Sequence, residues 1–343
     1  NAGDDITSGN CNVLIGNDAG SKITDGNKNI IMGINAGNNG TGLTENVIIG
    51  SYAGTRLASG NKNVFIDDAA GRCRDSGNNN VAIGPDALRG ASTADVNTGA
   101  CNVAMGNGAG MSVTSGGNNI FFGTFAGCVI SSGSQNIVMG CNAYSCATTS
   151  SGTVAIGQLA GEKACGTNSV FIGPNAAKNV QCGEDSVYIG RNAGTQGGTL
   201  ASNTGKENVM IGYCAGACGT SGSGNLSIGV NAGQQVTSGD CNVALGYQAG
   251  ASVMTGGFGV FVGYDAGKCM CSGNSNIAIG RGTLRGSSTL SDNTANTNTA
   301  VGHNAGYHIT TGSCNAFVGC GAGQYTTTGN FNTFMGNCAG CCN

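Results

Sequence analysis

The sequence predicts an all-β fold, a parallel β-solenoid (β-roll) of about nineteen 17-residue rungs, and three observations carry this prediction. Three mostly apolar residues followed by a glycine recur along the whole chain, first at residues 13–16 and last at 333–336. Fourteen of the eighteen spacings between these motifs are 17 residues, three are 22 and one is 16. Glycine supplies 65 of the 343 residues and proline only two, which suits short strands between tight turns. A helical solenoid is excluded because its repeats need about 33 residues or more.

Each rung is numbered from its recurring glycine, which is position 0 and which is replaced once, by Asp67. No segment of the chain departs from this register, so residues 1–343 are predicted to form a single repeat domain. Position 0 falls at residues 16, 33, 50, 67, 84, 106, 123, 140, 157, 173, 190, 212, 229, 246, 263, 280, 302, 319 and 336.

Each motif is predicted to be a short strand, because position −1 is apolar in all nineteen rungs and position −3 is Val, Ile or Leu in sixteen. Side chains alternate between the two faces of a strand, so positions −3 and −1 share one face. We expect that face to point into the coil, as at Ile156 and Ile189. Ala at +3 and Gly at +4 suit a tight corner, after which a second short strand is expected.

Position −2 is then expected to point outward, although Ser227 is its only polar residue. A continuous apolar stripe on the outside exceeds what a soluble monomer normally exposes. The stripe therefore predicts that the chain associates with itself, as a trimer or a filament. The candidate interface residues are Phe65, Phe121, Phe171, Phe261, Phe317 and Phe334.

Position −4 is Asn in fifteen rungs, which predicts a ladder of amide side chains that hydrogen-bond from one rung to the next. Such a ladder satisfies polar groups at a corner, so we interpret it as structural rather than as a ligand-binding array. Its first eight members are Asn12, Asn29, Asn46, Asn63, Asn80, Asn102, Asn119 and Asn136.

The three 22-residue spacings predict longer turns at 88–100, 197–206 and 284–297. Two of them begin with the same three residues, Leu-Arg-Gly, at Leu88 and Leu284. Loops on a rigid scaffold often bind ligands, but we prefer the simpler interpretation that these segments are insertions tolerated at the surface.

Charge and composition exclude several classes of function. Only 31 residues carry charge and the formal net charge is −3, so no basic surface for nucleic acid is predicted. No apolar run approaches the 18 residues of a membrane span, so no membrane insertion is expected. The two histidines, His303 and His308, have no recurring carboxylate or serine beside them. We predict that the chain is not an enzyme and has no catalytic, cofactor-binding or metal site.

Eighteen cysteines in a repeat chain of low charge are typical of an oxidising, extracellular setting. Pairs on neighbouring rungs are candidate disulfides: Cys128 with Cys146, Cys165 with Cys182, and Cys320 with Cys338. Metal binding by Cys338, Cys341 and Cys342 is the rival interpretation. Asn39, in the Asn39-Gly40-Thr41 sequon, is a candidate glycosylation site.

The run Asn79-Asn80-Val81-Ala82-Ile83-Gly84 resembles the head repeats of YadA-like trimeric autotransporter adhesins. The longer unit at 242–250 is similar to β-solenoid repeats of phage and bacterial tail fibres. The resemblance covers nearly the whole chain and implies a left-handed parallel β-roll whose three copies pack side by side. It also implies attachment to a surface, although the matching residues are those of the strands and corners.

Together these patterns predict a structural extracellular fibre or filament protein, a rigid rod that associates with itself. The alternative is an adhesin or a phage tail-fibre shaft that binds a surface receptor or glycan. Ice binding is a weaker third hypothesis, because the threonines at position +8 are interrupted by Ala58, Cys165 and Met254.

Overall fold

The computed structural model describes residues 1–92, 96–181, 183–195 and 204–341, and each of the nineteen rungs contributes one strand of three residues at positions −3 to −1. One short 3₁₀ turn, Leu290–Asp292, lies in the last of the longer loops. The strands are β1 Val13–Ile15, β2 Ile30–Met32, β3 Val47–Ile49, β4 Val64–Ile66, β5 Val81–Ile83, β6 Val103–Met105, β7 Ile120–Phe122, β8 Ile137–Met139, β9 Val154–Ile156, β10 Val170–Ile172, β11 Val187–Ile189, β12 Val209–Ile211, β13 Leu226–Ile228, β14 Val243–Leu245, β15 Val260–Val262, β16 Ile277–Ile279, β17 Thr299–Val301, β18 Ala316–Val318 and β19 Thr333–Met335.

The nineteen strands form one parallel sheet, which confirms the predicted β-solenoid. Neighbouring rungs pair in the predicted register, so that Val47 lies opposite Val64 and Ile49 opposite Ile66. The expected second strand in each coil was wrong. Among the described residues the rest of each coil consists of turns, and Asn27 and Thr44 form one isolated bridge.

Two compact units divide the chain. The first comprises Asn1–Asn168 with strands β1 to β9, and the second comprises Ser169–Asn343 with strands β10 to β19. Within each unit the rungs stack in sequence order, and consecutive strands pair in parallel.

Four residues of every rung, those at −5, 0, +2 and +4, have positive φ, and these reversals close a 17-residue coil without helices. Asn and Asp are frequent at +2, as at Asn35 and Asp86, because their side chains tolerate the left-handed region. Position 0 is more demanding: φ lies near 125° at Gly123, where an added Cβ would meet the Gly140 carbonyl at 3.0 Å. Steric strain and close stacking together explain the recurring glycine.

Asp67 is the one rung position 0 without glycine, and its φ of 102° is strained for a residue with a Cβ. Its Oδ1 accepts a hydrogen bond from the Asp68 backbone N–H at 2.8 Å, which offsets part of the strain.

We expect Asp67→Gly to stabilise the fold by about 1 kcal/mol because it relieves the backbone strain at position 0. Urea denaturation measures the change, and Asp68→Gly, one residue further on and without positive φ, is the control. A midpoint that D67G leaves unchanged or lowers would contradict this explanation of position 0.

The interior is built from the side chains at −2, and the predicted orientation of the strands was wrong. Ile31, Phe65 and Phe121 are fully buried, whereas the flanking positions −3 and −1 are partly or largely exposed in every strand. Ile156 and Ile189, predicted to lie in the core, therefore lie on the outside. Positions −4 and −2 share the inner face, because side chains alternate along a strand, and the amides at −4 are buried there. Positions −3 and −1 therefore face outward although they are apolar.

Large side chains in the buried −2 column pack against small ones at several places. Ala104 lies opposite Phe121, and Ala244 and Ala278 lie on either side of Phe261. The ring of Phe121 also explains a glycine at +4, because a Cβ on Gly127 would lie 2.4 Å from that ring. Where −2 is Ala in two consecutive rungs, a leucine at +4 fills the space, as Leu88 and Leu284 do.

The two Leu-Arg-Gly loops are organised in the same way, each around a buried asparagine. Asn97 Oδ1 accepts a hydrogen bond from Ala91 N at 2.8 Å, and Asn293 Oδ1 accepts one from Ser287 N at 2.8 Å. Beside the first loop, Arg74 is fully buried in column +7, which is apolar or glycine in most rungs. It donates to the carbonyls of Val113 and Gly99, and burial lowers its pKa to about 10.

Candidate functional site

The outer face of the sheet is the most extensive candidate interaction surface. It consists of the side chains at −3 and −1 of each strand, which are almost all Val, Ile, Leu, Met or Phe. Ile120 is 41% exposed, Phe122 49% and Met139 38%, although a three-residue parallel strand is normally covered on both faces. We call these two columns the outer face.

The candidate interface predicted at −2 is not part of this surface. Phe65, Phe121, Phe171, Phe261 and Phe317 are fully buried, and Phe334 is partly buried against the core of the second unit. The prediction of an exposed apolar stripe had a physical basis, but the stripe lies at −3 and −1 and is two side chains wide. All three residues of each strand are apolar in most rungs, so the pattern of the strand itself did not reveal which face is the inner one.

The dimensions of the outer face follow from sheet geometry. Three residues span about 10 Å along a strand, and nine strands at about 4.8 Å spacing span about 40 Å, so the first unit presents about 400 Å² of flat projected area. The second unit, with ten strands, presents slightly more. Each value reaches the range of the largest apolar patch on a typical soluble monomer, before the relief of the side chains is counted.

Different side chains border the outer face in the two units. In the first unit, Lys28 and Lys62 lie 3.4 and 3.9 Å from the carboxylate of Glu45, all at position −5. In the second unit, position +1 carries stacked planar groups. The guanidinium of Arg191 lies 4.7 Å from the Tyr213 ring centroid, and the rings of Tyr247 and Tyr264 stack at 4.9 Å. Exposed tyrosine and arginine beside an apolar surface are typical of protein interfaces.

The predicted asparagine ladder lies inside the coil, and its members from Asn29 to Asn136 are fully buried. Asn119 Nδ2 donates to Asn102 Oδ1 at 2.9 Å and to Gly133 O at 2.9 Å, and Asn119 Oδ1 accepts from the backbone and amide N–H groups of Asn136. The same pattern links the members from Asn12 through Asn29, Asn46, Asn63, Asn80 and Asn102 to Asn136. The ladder therefore provides hydrogen-bond partners for the backbone N–H and carbonyl groups at the corner of each rung.

Two of the three predicted disulfides were wrong. Cys128, Cys146, Cys320 and Cys338 are free cysteines. The members of each pair occupy adjacent columns and turn toward different groups. Cys128 Sγ lies 3.9 Å from the Ser145 carbonyl, and Cys320 Sγ lies 3.8 Å from Nδ1 of His303. Burial raises the pKa of the Cys128 thiol. The third pair includes Cys182, which lies outside the described residues, as does Cys342.

The remaining predicted sites are placed as follows. Asn39 lies in a turn, is half-buried, and its Oδ1 accepts a hydrogen bond from Lys22 Nζ at 2.9 Å, so its glycosylation stays a prediction. The loop at 284–297 is described completely, the loop at 88–100 lacks 93–95, and of the loop at 197–206 only 204–206 belong to the described residues. No group of three or more His, Cys, Asp or Glu side chains converges within the described ranges.

Arg281, Arg285, Tyr264 and Tyr307 surround a cleft of about 470 Å³ in the second unit that sequence reasoning missed. These residues come from three rungs and were not singled out, although the second Leu-Arg-Gly loop, which contains Arg285, was. The signal that could have found the cleft is the concentration of planar side chains at +1 and +5 of three neighbouring rungs, namely Tyr264, Arg281, Arg285, His303 and Tyr307.

Comparisons with known protein families, with characterised proteins and with solved structures found no match to this chain. The resemblance to adhesin heads and tail-fibre repeats therefore stays a prediction, and the class that the structure defines is the β-solenoid repeat protein. In the part of the chain that is described, no helix has the length and hydrophobicity to cross a bilayer.

Proposed function

We propose that the chain is a structural protein of a fibre or filament, in which copies of the chain associate through the outer face. The observation that carries this proposal is the exposure of two adjacent apolar columns along every strand of both units. Removing this surface from water stabilises association by roughly 25 cal/mol for each Å² of apolar area buried.

A second copy of the same chain is the occupant that fits the outer face best. The surface repeats at the spacing of parallel strands, so a partner that fills it along its length needs the same repeat. Another outer face meets this requirement, because two sheets pack face to face at about 10 Å with their strand directions nearly aligned. The side chains at −3 and −1 carry no charge, so no oppositely charged partner is indicated.

Identical outer faces on identical chains favour a symmetric assembly. Direct contact between two outer faces is two-fold symmetric, whereas the adhesin-like repeats suggest three copies around a common axis, and the mass from light scattering distinguishes the two. Strand pairing and the buried amide ladder fix each rung to the next within a unit, which supports the stiffness that a fibre needs. That the fibre is extracellular remains a proposal from the number of cysteines and from the resemblance.

Three lysines on the outer face are expected to dissociate the assembly. We choose Ile120→Lys, Met139→Lys and Val154→Lys, which lie on consecutive rungs in alternate columns, so that no two introduced charges are opposite each other. The free-energy cost of burying an unpaired charge in an apolar interface is far larger than the gain from burying one apolar side chain there. Multi-angle light scattering should give a multiple of the chain mass for the native protein and one chain mass for the variant.

The matched control places three lysines at +9, where Ser59, Ser115 and Thr149 are exposed on another side of the coil. This variant has the same net charge and is expected to remain assembled. A native protein that is monomeric at all concentrations, or a control that dissociates as fully as the outer-face variant, would refute self-association through this surface.

A further inference from the structure

The cleft lined by Arg281 and Arg285, which we call the corner cleft, lies on the second unit next to the second Leu-Arg-Gly loop. Its volume is about 470 Å³, and every residue that lines it belongs to the described chain. The two arginines occupy positions +1 and +5 of one rung, so they flank the same tight corner. Gly282 forms its floor: a Cβ there would lie 2.4 Å from Asn304 Oδ1 and 3.2 Å from the Tyr307 ring.

Aromatic rings orient both guanidinium groups, and Arg285 also lies within ion-pair distance of Asp265. Arg281 lies 5.6 Å from the Tyr264 ring centroid and Arg285 lies 5.4 Å from that of Tyr307. Within the described residues Arg281 makes no ion pair, and the buried Nε of Arg285 has no hydrogen-bond acceptor. Stacking on a ring orients the plane of a guanidinium and leaves its N–H groups available.

The charge of the corner cleft is positive although the chain as a whole has a net charge of −3. Asp265 is the one carboxylate among the lining residues. Its oxygens lie 3.7 Å from Arg285 Nε and 3.4 Å from Lys268 Nζ, so two cations already oppose that single charge. Arg281 adds a further positive charge. The cleft therefore has an excess of positive charge, which an anionic ligand would neutralise.

We propose that the corner cleft binds an acidic sugar, a pyranose that carries a carboxylate or a sulfate group. Arg281 and Arg285 donate hydrogen bonds to the oxyanion, the geometry for which a planar guanidinium is best suited. The side chains of Asn304 and Gln324 offer both donors and acceptors to ring hydroxyls. Tyr264 and Tyr307 stack against the two guanidinium groups and so hold them in place for the oxyanion.

Isothermal titration calorimetry on the native protein tests this proposal with four probes: glucuronate, glucose 6-sulfate, glucose and inorganic sulfate. We expect the two acidic sugars to bind, and glucose and inorganic sulfate to bind roughly tenfold more weakly or not at all, because each lacks one half of the recognised chemistry. Preference for glucuronate or for glucose 6-sulfate then distinguishes a carboxylate from a sulfate as the recognised group.

Arg281→Gln removes one guanidinium from an exposed side chain and is expected to weaken binding of the preferred acidic sugar roughly tenfold. Arg191→Gln is the matched control, because Arg191 also lies at +1 and over a tyrosine, but lines no part of the corner cleft. The proposal is overturned if no acidic sugar binds, if glucose or inorganic sulfate binds as tightly, or if R281Q and R191Q have the same effect.

Discussion

Replacing Phe121 with alanine is expected to cost about 3 to 5 kcal/mol of stability, the range found for large-to-small changes of aromatic residues in packed cores. Phe121 is fully buried, lies opposite Ala104, and its ring packs against the backbone of Gly110 and Gly127. The two glycines have no side chains that could move into the cavity. Urea denaturation, followed by circular dichroism, measures the loss as a lower midpoint.

Phe122→Ala is the matched control because it changes the same residue type one position along the same strand. Phe122 is 49% exposed on the outer face, and its truncation is expected to change stability by less than about 1 kcal/mol. Both substitutions are made in the triple-lysine variant, in which loss of association cannot contribute. A larger loss for Phe122→Ala than for Phe121→Ala would show that the strand faces the opposite way.

Replacing Asn119 with leucine is expected to destabilise the fold by about 2 to 6 kcal/mol. The change leaves the backbone N–H of Asn136 and the carbonyl of Gly133 buried without their partners, and each such group costs about 1 to 3 kcal/mol. Leucine branches at Cγ as asparagine does but is larger, so the loss combines the missing hydrogen bonds with overpacking and does not report a cavity. The denaturation midpoint again provides the measurement.

Asn119→Ser is the control, because the chain itself uses hydroxyls in this column. Ser169 Oγ donates to Gly183 O at 2.6 Å and accepts from Ser186 N at 3.4 Å, which repeats both functions of the amide toward the next rung. We therefore expect the serine variant to lose less stability than the leucine variant. If the two variants lose the same amount, the hydrogen bonds of the ladder do not contribute to stability.

The pairing of the rungs could be predicted from the sequence, because parallel strands in a solenoid place equivalent residues of successive repeats opposite each other. One glycine every 17 residues fixed the register, and Val47 does lie opposite Val64 as that register requires. The glycine also carried a conformational signal, since position 0 adopts a backbone geometry that residues with a Cβ avoid.

The inward and outward faces could not be predicted from apolar character, because strands such as Val170–Ile172 are apolar at all three positions. Two signals in the sequence pointed the right way. Asn at −4 lies on the same face as −2, and a ladder of amides needs the interior of the coil. The alternation of Phe and Ala at −2, as at Phe65 and Ala82, is the volume complementation of a packed core.

The cysteine pairs and the corner cleft could not be predicted, because the position of a residue in the repeat does not give the direction of its side chain. Adjacent positions in a tight corner point in different directions, so Cys320 and Cys338 are close in register without facing each other. The same corner brings Arg281 and Arg285 to one cleft, although four positions separate them along the chain.

Carbene footprinting of the native assembly, read by mass spectrometry, tests the central claim that the outer face is covered by another copy of the chain. Phe122 and Ile137, which lie on the outer face and are unchanged in the triple-lysine variant, are the reporters. We predict that both residues are protected in the native protein and labelled in the variant, while residues at +9 are labelled equally in both. Equal labelling of Phe122 and Ile137 in the native protein and the variant would contradict the claim.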